Sequence, residues 1–344
     1  GAANPNATVT VNNQPVTREG ELYYKQLAVD NANSAVLTEV TTVGVLKNGA
    51  PGGEDIVEQD ARQVFVPQPP EAFTHDADGN LLTDGQWAYT WNAENRLVKM
   101  ETAVLGGPAT RLEFVYDSQG RRVRKTVSTS PDGQNWTEVS DTLYVWFDWL
   151  LLAELDANAA NAPVRTHTWG LDLSGSLQGA GGVGGLLASE DAGGNIRAAA
   201  CDGNGNIVAL VDLDAESVVA EYEYSPFGKT LRATGPAADG NPFKFSTKYE
   251  DTPTGLYYYG YRYYSADTGR WLNRDPIGEQ GSSALYVAFR NEPLGLTDYL
   301  GLLDRSDVQR GINDFDASIN GMHAYRLMGW DHLHAAALQG AAHA

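Results

Sequence analysis

A short phrase recurs through the middle of the chain: Asp-x-x-Gly followed by Asn or Arg, usually with an apolar residue next. It reads Asp76-Ala77-Asp78-Gly79-Asn80-Leu81, Asp117-Ser118-Gln119-Gly120-Arg121, Asp191-Ala192-Gly193-Gly194-Asn195-Ile196 and Asp202-Gly203-Asn204-Gly205-Asn206-Ile207. Each copy instructs a turn, because the Asp side chain bonds to backbone amides ahead of it and Gly accepts a positive φ without steric cost. The flanks alternate: Trp87-Ala88-Tyr89-Thr90-Trp91 and Val219-Ala220-Glu221-Tyr222-Glu223-Tyr224 set aromatic residues two apart, as a strand with two unlike faces requires. Copies starting at 76, 117, 191 and 202 have no fixed period, which favours hairpins strung into one long antiparallel sheet over a solenoid or propeller. The fold class expected is therefore mainly β.

Composition agrees. Of 344 residues 17 are Tyr, 8 Trp and 37 Gly but only 3 Met, a balance for strands and tight turns over helix packing. A net charge of −20 argues against nucleic acid as a partner and against an anionic membrane surface, since both are bound through Lys and Arg. The sequence has neither a bilayer-length apolar run nor a basic-then-apolar leader, so we expect a soluble chain without a membrane span. A start at Gly1 leaves room for a signal already removed. Cys201, the single cysteine, reads as a small buried side chain.

Residues 1–70 read as a small N-terminal β-domain, with Ala7-Thr8-Val9-Thr10-Val11 and Val64-Phe65-Val66 as strand-forming runs and Pro67, Pro69 and Pro70 as its end. Residues 71–254 hold the turn phrases and read as a sheet forming a partial shell. Within them, residues 173–187 contain six glycines but no Gly-Lys-Ser/Thr ending, so we expect a loop where backbone meets backbone and not a phosphate cradle. Residues 303–344 lack Val, Ile and Thr after Ile319 and read as a short helical tail, with Asn320-Gly321 a break, docked through Tyr325, Leu327, Met328 and Trp330. His332 and His334, two apart, would point to different faces of a helix, so no metal site is expected.

Tyr116-Asp117-Ser118-Gln119-Gly120-Arg121, Tyr224-Ser225-Pro226-Phe227-Gly228 and Gly260-Tyr261-Arg262-Tyr263-Tyr264-Ser265-Ala266-Asp267-Thr268-Gly269-Arg270-Trp271 resemble the Rhs/YD-repeat family. The resemblance continues through Arg274-Asp275-Pro276-Ile277-Gly278, Leu285-Tyr286, Asn291-Glu292-Pro293 and Asp298-Tyr299-Leu300-Gly301-Leu302. It covers about 71–302 and is most specific over 255–302, which look like the family's core-terminating, self-cleaving module. Members such as the C components of Tc toxins and bacterial Rhs effectors fold a long hairpin sheet into a hollow shell. Their terminal module plugs one end and cuts the chain after the leucine of an Asp-Pro-x-Gly-Leu phrase, commonly releasing a variable toxin. Here Tyr299 stands where that phrase has proline, and the 42 residues after Leu302 would be the first part of a toxin.

Peptide hydrolysis by carboxylates needs one ionised as base and one protonated as acid beside a single water. Asp275 and Asp298, 23 residues apart, are the candidates, and they converge only if the chain reverses between them. Arg262, in a Tyr-Arg-Tyr-Tyr run, would hold one aspartate ionised or stabilise the oxyanion; the resemblance implies the same trio. The expected cut lies between Leu302 and Leu303. The structural reading stays open beside it: Asp275 and Asp298 as turn caps, Arg262 in a buried ion pair. Asp304 and Asp307 read as solvated.

The function these readings point to is a shell with one intramolecular, aspartate-dependent proteolysis after Leu302, encapsulating or presenting a C-terminal segment. The alternative is an extracellular structural or adhesion protein in which cleavage is vestigial or absent. No cofactor is implied. The expected partners are the chain's own C-terminal segment or other shell chains, and the expected location is secreted or cell-surface.

Overall fold

The computed structural model describes residues 1–48, 53–102, 108–280 and 284–302. The four turn phrases close hairpins in one way. In the first, Gly79 N donates to Asp76 O (3.1 Å), Asp76 N donates to Asn80 O (3.0 Å), and the Asp76 carboxylate accepts from Asn80 N (2.8 Å) and Nδ2 (2.9 Å). Gly79, Gly120, Gly194 and Gly205 all take φ between +76° and +86°, a region closed to most side chains. The same backbone closure forms at Asp172–Ser176, at Ser225–Lys229 and at Asn92–Arg96, where Asn95 (φ +56°) does glycine's part.

Fourteen strands, from Thr74–His75 to Thr230–Thr234, pair in chain order into one open antiparallel sheet. Register shifts recur between neighbours, as at Val115/Tyr116 and Val145/Trp146, and such bulges bend and twist a sheet. The alternation expected for Trp87–Trp91 is present: Trp87 and Tyr89 are buried while Ala88 and Thr90 are exposed. Upstream, Thr8–Val11, Gln14–Pro15, Val36–Leu46 and Ile56–Val66 form a separate four-stranded sheet, and Thr17–Glu19 pairs with Leu22–Tyr24. The chain is thus mainly β, as the turn phrases and aromatic alternation require.

A second four-stranded sheet, Tyr249–Asp251, Leu256–Tyr258, Tyr263–Ser265 and Arg270–Trp271, lies on one face of the long one. Its tyrosines divide by the period of two. Tyr258 and Tyr263 pack with Leu97, Phe114 and Tyr144 of the long sheet, while Tyr257, Tyr259 and Tyr264 pack with Phe245, Trp271 and Phe289 in a second core. Polar bonds tie this layer across the long sheet: Tyr286 OH to Gly79 O (2.7 Å), Tyr258 OH to Gly120 O (3.3 Å), Thr247 Oγ1 to Gly205 O (2.7 Å) and Tyr264 OH to Phe227 O (2.8 Å). Two buried ionic groups add to them. Asp251 pairs with Arg122 and with Lys125 (2.8 Å), and Glu154 takes Arg165 (2.6 Å), His167 (3.3 Å) and the Tyr249 hydroxyl (2.8 Å).

The tail, with its helical reading and docking residues Tyr325, Leu327, Met328 and Trp330, lies outside the described residues. So do Leu303, Asp304, Asp307, His332 and His334. Among the described residues no helix is long and apolar enough to cross a membrane, and no cluster of His, Cys, Asp and Glu could hold a metal.

Candidate functional site

The candidate site begins at a tight reversal. Tyr259 N donates to Arg262 O (3.0 Å), and Gly260 takes φ +111° with Trp149 and Leu300 against the place a Cβ would fill. This reversal leaves Tyr261 half-exposed and Arg262 1% exposed, its guanidinium 4.3 Å from the centre of the Trp271 ring.

All three guanidinium nitrogens of Arg262 are engaged. Nε donates to Gly301 O, Nη1 to Leu285 O (3.3 Å), and Nη2 lies 2.8 Å from Asp275 Oδ2 and 3.7 Å from Asp298 Oδ2. The three residues singled out in the sequence therefore meet. Asp275 reaches the site because its amide donates to Leu285 O (3.1 Å), fixing the segment after Trp271 against the returning chain. It also caps its own Asp-Pro turn, its Oδ1 accepting from Ile277 N (3.0 Å).

Asp298 is fully buried, and its Oδ1 accepts the amides of Gly301 (2.7 Å) and Leu302 (2.9 Å). Asp275 and Asp298 are thus turn caps and neighbours of the buried Arg262 charge at once. Burial pushes the Asp298 carboxyl up, against the opposing pull of Arg262, the two amides and Lys248. Gly301 sits at φ +78°, and a Cβ there would lie 3.1 Å from Arg262 Cβ.

Sequence reasoning missed Lys248. This buried lysine donates from Nζ to Tyr299 O and to Gly181 O, both at 2.9 Å. Burial lowers its pKa to about 8, although Asp298 and Asp172 favour its charge. Gly181 belongs to the glycine-rich stretch, which is the close backbone meeting expected there: a Cβ on Gly181 would lie 2.4 Å from Tyr299 O, and one on Gly205 2.9 Å from Gly184 N. The Asp172 carboxylate folds the loop by accepting Ser174 N (2.9 Å), Ala180 N (2.7 Å) and Gly182 N (3.1 Å).

Residues 183–284 match the profile of the teneurin YD-shell family. The toxin subunit YenC1 of Yersinia entomophaga is 30% identical over 255 residues, covering 67% of this chain and 24% of that protein. Double-stranded DNA deaminase toxin A of Burkholderia cenocepacia is 29% identical over 244 residues, covering 67% of this chain and 17% of that protein. The tRNA nuclease WapA of Bacillus subtilis is 29% identical over 215 residues, covering 62% and 8%. The chain thus spans less than a quarter of these relatives' length. Among solved structures, TcdB2-TccC3 superposes with a TM-score of 0.52 at 21% identity over 76% of this chain and 14% of that one, a likeness of fold. The Photorhabdus luminescens Tc holotoxin pore gives 0.51 at 20% over 77% and 13%.

Proposed function

Because the chain belongs to the Rhs/YD-repeat family, we propose that it is the closing part of a larger secreted or cell-surface shell whose residues 255–302 cut their own chain between Leu302 and Leu303. The segment beyond the cut is then presented or enclosed by the shell. Relatives named as toxins, a nuclease and a deaminase support a toxin piece as that segment.

One observation carries the reading: two acidic side chains 23 residues apart share a single arginine nitrogen, and one of them holds the amide of Leu302. A water attacks the Leu302 carbonyl carbon while Asp275, held by Arg262, takes its proton. Asp298, whose burial favours the protonated form, gives its proton to the Leu303 nitrogen as the C–N bond breaks. Each carboxyl ends in the other's starting state, and the two new chain ends take up the water. The amide clamp at Gly301 and Leu302 keeps the bond in place, so positioning supplies much of the rate.

Intact mass spectrometry of the wild type beside Asp275→Asn, Asp298→Asn and Arg262→Ala tests this. The expected result is a wild-type break after Leu302 and whole chains for the Asn variants. A wild type that stays whole on prolonged incubation removes the proposal and leaves an uncut assembly unit.

A further inference from the structure

We infer that Lys248 is a positioning residue, a buried ammonium that fastens the Tyr299 backbone to the glycine-rich loop and so holds the 298–302 turn beside Arg262. Its importance for cutting rests on the self-cleavage reading; the latch itself does not.

Three observations carry it. Lys248 Nζ bridges two carbonyls from segments 118 residues apart in sequence, Gly181 O and Tyr299 O, each at 2.9 Å. The turn that delivers Lys248 is held in an unfavourable conformation: Ser246 and Thr247, neither of them glycine, both take φ +51°. Such a backbone persists only where its surroundings enforce it, and here they do. Ser246 N donates to Asn206 Oδ1 (2.8 Å), and Thr247 Oγ1 accepts from Gly184 N (2.8 Å) while donating to Gly205 O (2.7 Å).

The third observation is the charge environment. The charges of Asp298 and Asp172 favour the ammonium against its burial, and the Tyr259 ring lies 5.3 Å from it. Asp298 in turn feels Arg262 and Lys248 as its two cations. Lys248 therefore does two things to the turn: it bonds the carbonyl next to Asp298, and it opposes the rise that burial gives the Asp298 carboxyl. Tyr299 is not a proline, so its φ is not fixed by a ring; a bond to its carbonyl supplies restraint from outside.

The test separates bond from charge in an Asp275→Asn background, where no cutting is expected. Lys248→Met removes both; Lys248→Gln keeps a donor without the charge. Hydrogen exchange should accelerate at the Gly301 and Leu302 amides by roughly tenfold or more in Lys248→Met, the equivalent of one charge-assisted hydrogen bond, and less in Lys248→Gln. Carbon-13 NMR should show the Asp298 carboxyl titrating at higher pH in both variants, which loss of packing alone would not produce. With Asp275 restored, Lys248→Met should slow cutting, and the limb on which cutting falls with rising pH should move upward. Unchanged exchange and an unmoved titration in Lys248→Met overturn the inference, and if that variant does not fold the Lys248→Gln titration decides alone. A latch confirmed in the Asp275→Asn background beside a wild type that never cuts would retire the cleavage reading only.

Discussion

Asp251→Asn should detach much of the second sheet from the first. The Asp251 carboxylate, 1% exposed, bonds Lys125 Nζ at 2.8 Å and Arg122, and Arg122 is enclosed by the rings of Phe114, Tyr144, Tyr249, Tyr258 and Tyr263 at 4.7–5.9 Å. Removing the anion between two cations leaves both desolvated, and breaking such a buried pair costs about 3–5 kcal/mol. Urea unfolding followed by tryptophan fluorescence should show that loss at pH 7. Burial pushes the Asp251 carboxyl up, but Arg122 and Lys125 push it down further, so its folded pKa is lowered. Its contribution is therefore complete above the unfolded value of about 3.9 and is lost as pH falls through the lower folded value. The gap between wild type and Asp251→Asn should stay constant from neutral pH down to the carboxylate range and then close. Asp251→Asn with Arg122→Met should regain a large part, because methionine suits a ring-lined cage. A single-variant loss under about 1 kcal/mol, the range of an exposed pair, would refute the claim that this ionic group holds the layers together.

Arg262→Lys should not restore what Arg262→Ala loses, since one ammonium cannot serve Gly301 O, Leu285 O and two carboxyls at once; differential scanning calorimetry of both variants would show similar falls in Tm. Gly301→Ala places a Cβ 3.1 Å from Arg262 Cβ at φ +78°, so a loss of about 1–3 kcal/mol is expected from backbone strain, with faster hydrogen exchange confined to 298–302 and its contacts. Asp202→Ala removes the acceptor of Asn204 N, Asn206 N and Asn206 Nδ2; Asn206 also holds Ser246, so chemical denaturation should show a larger loss than for Asp191→Ala, whose turn is exposed.

The turns were legible because each is local: Asp and Gly three apart decide the loop before any distant contact forms. Copies written with other letters, Asn92–Arg96 and Ser225–Lys229, escaped because Asn replaces both special residues in one and Ser opens the other. The alternation of Trp87–Trp91 was legible for the same local reason, whereas the division of the 257–264 tyrosines between two cores appeared only once the second sheet lay on the first. Ile56–Val66 was less readable: Glu58, Gln59, Asp60, Arg62 and Gln63 oppose strand propensity, and pairing along all of Val36–Leu46 overrides them. In the candidate site, spacing said only that Asp275 and Asp298 need a reversal between them, and the family resemblance supplied the trio. Lys248 gave no local signal, since its meaning depends on carbonyls at 181 and 299 that only tertiary structure brings to it.

Whether this chain cuts itself is decided by a mixing experiment. Unlabelled wild type and nitrogen-15-labelled Asp275→Asn are incubated in one tube and followed by intact mass. Self-cleavage should give a fragment ending at Leu302 from the unlabelled chain alone, at a fractional rate independent of concentration. A labelled fragment ending at Leu302, or an unlabelled chain that stays whole, contradicts it.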